Sequence, residues 1–252
     1  MIRSSAPTRI DLSGGTLDIW PLYLLLDNPP TLNAAIDFYA AVDIKPRSDR
    51  AIIVESKDLK IKERFRSLGS LPDSHPLELI LRTIKFYRPA GGLELTTDCQ
   101  APAGSGIAGS SALNIALNGA LNHLSGNPYK KNQLIEIARN IETQVIRVPA
   151  GWQDYFPALY GGVQVVQPGI ARVETKKIPI DLAELSQRFV LCYTGKPRQS
   201  GINNWEVMKA ALDSDKGVME KLNRIKNITL KMEQILTALK SARTTGKQNP
   251  LK

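Results

Sequence analysis

The chain has 252 residues, 42% hydrophobic and 23% charged, the make-up of an ordinary globular protein with one large domain or two modest ones. Its apolar runs, such as Leu22–Leu26, are far too short to span a bilayer, and two cysteines, Cys99 and Cys192, argue against a disulfide framework. A net charge of +9 is concentrated between Lys196 and Lys252, where 12 basic residues stand against 5 acidic ones. With Trp205 its only interleaved aromatic and no arginine run, that stretch reads as a solvated helix face in preference to a nucleic-acid contact.

Met1–Leu12 alternates weakly and predicts a strand ending near Ser13, with a tight turn at Gly14-Gly15. No signal-peptide h-region precedes it, which with the cysteine usage implies a cytoplasmic protein. Arg9 and Asp18 fall on or near the turn, facing a cleft or merely solvated on a hairpin. Leu32–Ile44 and Ala51–Glu55 read as strands joined around Pro46–Asp49, and Lys57–Asp73 as charged and irregular. Pro76–Tyr87 predicts a helix with Leu77, Ile80, Leu81 and Ile84 on its apolar face. Gly92–Asp98 alternates as a half-buried strand.

Pro102–Leu113 follows, with three glycines and three serines between Gly104 and Ser111, and then a helical apolar pattern from Leu113 to Leu124. Strand, glycine-serine loop and helix N-terminus form a phosphate-holding device: glycines admit close approach, free N–H groups face the ligand, and the helix dipole favours negative charge. An ordinary helix capped by Ser110 or Ser111 is the competing reading. No lysine follows Gly109, so this is not a Walker A loop, and backbone donors would do most of the holding.

Asn132–Ile146 predicts a second helix, capped by Asn132, with Glu142 near its C-terminal end, where negative charge opposes the dipole. Asp154 lies among bulky apolar residues in Gly151–Gly162. A carboxylate there suits a general base or, equally, a helix N-cap. Val163–Val166, Arg172–Ile180 and Arg188–Tyr193 read as strands, with Asp181–Leu185 a short turn or helix. A long helical stretch runs from about Asn203 to Leu239, and a polar tail from Ser241 to Lys252 closes the sequence.

Three of these stretches together resemble the GHMP superfamily of small-molecule kinases, which includes galactokinase, mevalonate kinase, homoserine kinase and heptose kinases. Ala6–Ile19 resembles the first motif, Ala-Pro-Gly-Arg-Val-Asn-Leu-Ile-Gly-Glu-His-Thr-Asp-Tyr in sugar kinases. Pro102–Ala112 resembles the phosphate loop, Pro-x-Gly-x-Gly-Leu-Gly-Ser-Ser-Ala, and Gly151–Gly162 the Gly-x-x-Asp-Gln segment with the catalytic Asp. Tyr193–Gly195 and Gly201–Trp205 resemble the passage into the second domain of heptose-type kinases.

The resemblance implies a role for each residue. Asp154 would be the base, with Arg9 neutralising charge near the attacking oxygen and orienting Asp154. Asp18, with Gly15 and Thr16, would contact the sugar. Pro102, Gly104, Ser105, Gly106, Ala108, Gly109, Ser110 and Ser111 would wrap the ATP phosphates, and Ser111 with Glu142 would hold Mg²⁺. It implies an α+β fold: residues 1–186 form an N-terminal domain like the second domain of ribosomal protein S5, and 187–252 a shortened ferredoxin-like C-terminal domain.

Some positions depart from the pattern. Gly15-Thr16 replaces the Glu-His of galactokinase, which points to a different sugar. Ala108 lengthens the loop by one residue, and Tyr155 replaces the usual Gln. No third glycine motif appears, so the C-terminal helices are expected to lack part of their cover, favouring a homodimer or a separate chain supplying the rest. The expected partners are ATP and a sugar, with no membrane. A remnant that binds nucleotide or sugar without turnover, and an RNA-binding S5-like protein, are the alternative readings.

Overall fold

A computed structural model describes residues 1–197 and 200–244, the side chains of 200–203 and 239–244 excepted. In chain order the elements are β1 (Ile2–Ser13), α1 (Leu22–Leu25), β2 (Thr31–Pro46), β3 (Ile52–Ser56) and β4 (Ile61–Phe65). Then come α2 (Glu78–Tyr87), β5 (Leu93–Cys99), α3 (Gly109–Leu124), α4 (Lys131–Ile146) and α5 (Tyr155–Tyr160). β6 (Val163–Pro168), β7 (Val173–Ile178), α6 (Leu182–Ser186), α7 (Ser200–Leu212) and α8 (Lys216–Thr244) complete the series. The chain divides into two compact units, one of Met1–Thr8 and Asp37–Ala150, the other of Arg9–Ile36 and Gly151–Lys252. Both β1 and β2 therefore pass from one unit to the other, and the cuts fall elsewhere than at 186.

In the first unit the later half of β2 pairs antiparallel with β5, from Ala40 opposite Cys99 to Pro46 opposite Leu93. β5 runs parallel to β3, and β3 antiparallel to β4. Val42, Ile44, Ile52, Val54, Leu93 and Leu95 are buried, as strict alternation requires of a strand with one covered face. The helices bury Ile80, Leu81 and Ile84 of α2, Leu117 and Leu121 of α3, and Leu134, Ile135 and Ile141 of α4.

Two expectations fail in this unit. Lys57–Asp73 is not irregular throughout, since Ile61–Phe65 forms β4, an outer strand whose central residues Lys62, Glu63 and Arg64 are exposed. Charged residues are common on such edges, where they deter further pairing, and so the strand reads as loop. Asn132 does not cap α4 either: the helix begins at Lys131, and the Lys130 N–H donates to Gln133 Oε1 at 2.9 Å.

In the second unit the early half of β2 pairs antiparallel with β6, and β6 with β7. Leu32, Ala34, Val163, Val165 and Ile178 form a core with Met232 and Leu236 of α8 packed against it. A second core joins Leu17, Ile19, Leu22 and Leu26 to Met208 and Ala211 of α7 and Leu222 of α8. The long helical stretch is thus two helices, parted where Ser214 takes φ +60° and Asp215 accepts from the Val218 N–H. Their cover is partial: Trp205, Leu212, Ile228 and Ile235 remain exposed.

Arg188–Tyr193 is not a strand, and Cys192 accordingly lies on none. Phe189, Val190, Leu191 and Tyr193 are exposed. An apolar run becomes a strand only beside a neighbour that takes up its backbone groups, and no ladder among the described residues includes this one. Of the expected polar tail, 241–244 continue α8 and 245–252 lie outside the described residues. No described helix is long and apolar enough to cross a membrane.

Candidate active-site elements

The first unit contributes the phosphate-type loop. Gly104 and Gly106 take φ of +71° and +80°, and Ala108, at the N-cap of α3, takes φ +60° and ψ +38°. A Cβ on Gly106 would meet nothing within 4 Å, so that face of the loop is open. Gly109 has a different reason to be glycine, because a Cβ there would lie 3.0 Å from the Ala101 Cβ and 3.4 Å from the Cys99 Sγ at the end of β5. Pro102 and Ser105 close the turn through an N–H···O bond of 3.1 Å. The 16-residue helix α3 begins at the loop with no side-chain cap, so its positive dipole end lies at these residues.

The serines expected as caps point elsewhere. Ser110 Oγ donates to Glu142 Oε1 at 2.7 Å, and Ser111 Oγ to the same oxygen at 3.2 Å. Glu142 and Ser111 are both buried. The awkward placement of Glu142 near the C-terminal end of α4 is thus offset by two hydroxyl donors from the start of α3. Hydroxyl and carboxylate oxygens are also the donor set of a hard divalent cation, so these residues fit Mg²⁺.

The second unit contributes a charge cluster around Arg9. The Arg9 Nε donates to Asp154 Oδ1 at 2.7 Å, and its terminal Nη2 donates to the same oxygen. The Arg9 side chain is 10% exposed and that of Asp154 29%, so the pair is anchored on the arginine and open on the carboxylate. Burial opposes the guanidinium charge, but Asp154, by charge and hydrogen bond, and then Asp11 and Asp18 hold its pKa above the ordinary arginine value. Asp154 stands in the N-cap position of α5 without making the cap bond, which overturns the N-cap reading of its side chain.

Asp11 was not singled out as a site residue. It follows Arg9 by two positions on β1, and the period of a strand puts both on one face. The same alternation was the signal available in the sequence. A Cβ on Gly15 would collide with the Asp11 carboxylate, so the second glycine of the turn makes room for it. Thr16 Oγ1 donates to Asn204 Oδ1 on α7 at 3.3 Å. Asp18, expected to contact sugar, has no exposed surface, and its Oδ2 accepts from the backbone N–H groups of Trp152 and Gln153. In this structure direct sugar contact is closed to it.

The chain is similar to known kinases in sequence and in fold. Residues 77–162 match the family model described as GHMP kinases N terminal domain. Over 244 residues the chain is 28% identical to the D-glycero-alpha-D-manno-heptose 7-phosphate kinase of Campylobacter jejuni, covering 93% of this chain and 71% of that one. It is also 28% identical over 189 residues to the L-fucokinase/L-fucose-1-P guanylyltransferase of Bacteroides fragilis, covering 64% of this chain and 20% of that one. In fold it is similar to a D-glycero-D-manno-heptose 1-phosphate kinase from Bacteroides thetaiotaomicron, with a TM-score of 0.75 and 22% identity, covering 94% of this chain and 74% of that one. Over residues 77–162 the chain is thus similar in sequence to the N-terminal domain of GHMP kinases, and in its mixed α+β fold to a solved heptose phosphate kinase.

Proposed function

We propose that this chain is an ATP-dependent kinase that phosphorylates a hydroxyl of a sugar or sugar phosphate. The observation that carries the reading is the Arg9–Asp154 pair, a carboxylate partly open to solvent and fixed by a buried cation. In this reading Asp154 accepts the proton of the substrate hydroxyl. The hydroxyl oxygen forms a bond to the γ-phosphorus as the bond from that phosphorus to the departing ADP oxygen breaks, and the proton later leaves Asp154 for solvent. Arg9 orients Asp154 and offsets the charge of the incoming phosphoryl group. Such transfer is mostly positioning plus neutralisation, so these roles suffice for the acceptor side.

On the donor side, the backbone of 102–110 and the start of α3 bind the ATP phosphates, and Ser111 with Glu142 holds Mg²⁺, which supplies neutralisation of phosphate charge when bound. Gly15 and Thr16 line the sugar site. The relatives named for a heptose 7-phosphate and for L-fucose suggest the substrate class. The test is ADP formation with Mg²⁺·ATP and a panel holding D-glycero-α-D-manno-heptose 7-phosphate, L-fucose and D-galactose. Sugar-dependent ADP release is expected for at least one phosphorylated or neutral sugar, and release independent of every sugar tested would count against the reading.

A further inference from the structure

Asp18 joins two segments of the second unit. Its neighbours Leu17 and Ile19 are buried in one core with Leu22 and Leu26, so the backbone that carries it is pinned. Its carboxyl group holds the turn before Asp154 through two backbone N–H groups, those of Trp152 and Gln153, the second at 2.7 Å. Gly151 lies against the same group: a Cβ there would come within 2.8 Å of Oδ1 and nearer still to Oδ2. Gly151 has no positive φ, so it is glycine for space and not for backbone conformation. The turn is therefore shaped to receive this carboxylate, and the next residue along is Asp154.

We propose that Asp18 is a positioning residue, which fixes the Gly151–Gln153 turn and through it the place where the Asp154 carboxylate meets Arg9. The inference rests on the reading of Asp154 as the base. A group without exposed surface acts on a substrate only through what it holds, and hydrogen bonds to a charged acceptor are the strong ones. The arrangement is expensive. Oδ1 finds no hydrogen-bond partner among the described residues, and burial pushes the carboxyl pKa up to about 6 against the pull of the Gln153 N–H, with Asp154 adding to the rise and the Trp152 N–H opposing it. A buried charge kept under those conditions is what a stability–function compromise looks like.

The test uses the full chain with Asp18→Ala, Asp18→Asn and Gly151→Ala, read by amide hydrogen exchange and by kinetics on D-glycero-α-D-manno-heptose 7-phosphate. Asp18→Ala should speed exchange of the Trp152 and Gln153 amides at least about tenfold while those of Val163–Val166 hold, since only the local opening changes. It should lower kcat at least about tenfold with KM within about twofold, the mark of a misplaced base and not of a lost sugar contact. Asp18→Asn, whose amide oxygen still accepts, should restore most of both. Gly151→Ala keeps the Asp18 residue but crowds its carboxylate off the turn, and should repeat the exchange signature, so it decides the matter if Asp18→Ala fails to fold. Unchanged exchange at Trp152 and Gln153, or a raised KM with kcat intact, would overturn the proposal. If the parent chain leaves this sugar untouched, that failure belongs to the substrate reading, and exchange alone decides the role of Asp18.

Discussion

Asp18 holds its charge where burial opposes it, and the sign of its effect on stability follows. Its folded pKa of about 6 stands above the ordinary 3.8, so between those values the folded chain binds the proton more tightly than the unfolded one. The resulting stabilisation is fully present below about 4 and is lost as pH rises through about 6, by on the order of 3 kcal/mol. Asp18→Asn does not titrate. The difference in Tm between Asp18→Asn and the parent should thus move in favour of the variant from pH 4.5 to pH 7.5, and a flat difference would show that Asp18 does not carry this linkage. Arg9 makes a prediction of its own. Arg9→Lys keeps the charge but loses the planar fork that puts Nε and Nη2 on one oxygen of Asp154, so sugar-dependent turnover should fall at least about tenfold. Parental turnover in Arg9→Lys would show that charge without geometry is enough.

At the scale of elements, α3 carries a ladder of buried asparagines. Asn114 Nδ2 donates to the Ala138 carbonyl of α4, Asn118 Nδ2 to Asn114, and Asn122 Nδ2 to the Tyr129 carbonyl. Tyr87 of α2 donates its hydroxyl to Asn118 Oδ1 at 3.0 Å. Asn118→Leu would strand that hydroxyl and one side of Asn114, lowering stability by about 1–3 kcal/mol; urea unfolding that gives parental stability would contradict the account. The loop ahead of α3 predicts a ligand effect instead. Mg²⁺·ATP at about a hundredfold Kd should add roughly 2.7 kcal/mol, several degrees of Tm, and Ser111→Ala with Glu142→Ala should remove the Mg²⁺-dependent part.

What was legible in the sequence at this scale was local. Glycines and serines followed by a helical repeat specify a loop and a helix start whatever lies around them, and Leu113–Leu124 is helical as expected, within a helix that begins earlier, at Gly109. β4 was hidden because an edge strand exposes the charges of a loop, and Arg188–Tyr193 misled because its apolar run implies a neighbour that the ladders do not supply. The serine hydroxyls met Glu142, 31 and 32 residues away, and no local capping rule anticipates such a partner.

The whole molecule is assembled from segments that are not contiguous. Arg9 and Asp154 are separated by 145 residues, and periodicity alone says nothing about such a pair; the family resemblance named both. The domain boundary was out of reach for a related reason. β1 and β2 each leave one compact unit and enter the other in mid-strand, where no glycine-rich or proline-rich linker marks the passage. The loop and Glu142 belong to one unit, and Arg9, Asp18 and Asp154 to the other. The most direct test of the central claim is ³¹P NMR of Mg²⁺·ATP with the best sugar of the panel, comparing the parent with Asp154→Asn. The account predicts a new phosphate-ester signal on the sugar, growing as ADP appears, and a rate at least about a hundredfold lower in the variant. A signal that grows equally fast in Asp154→Asn would contradict it.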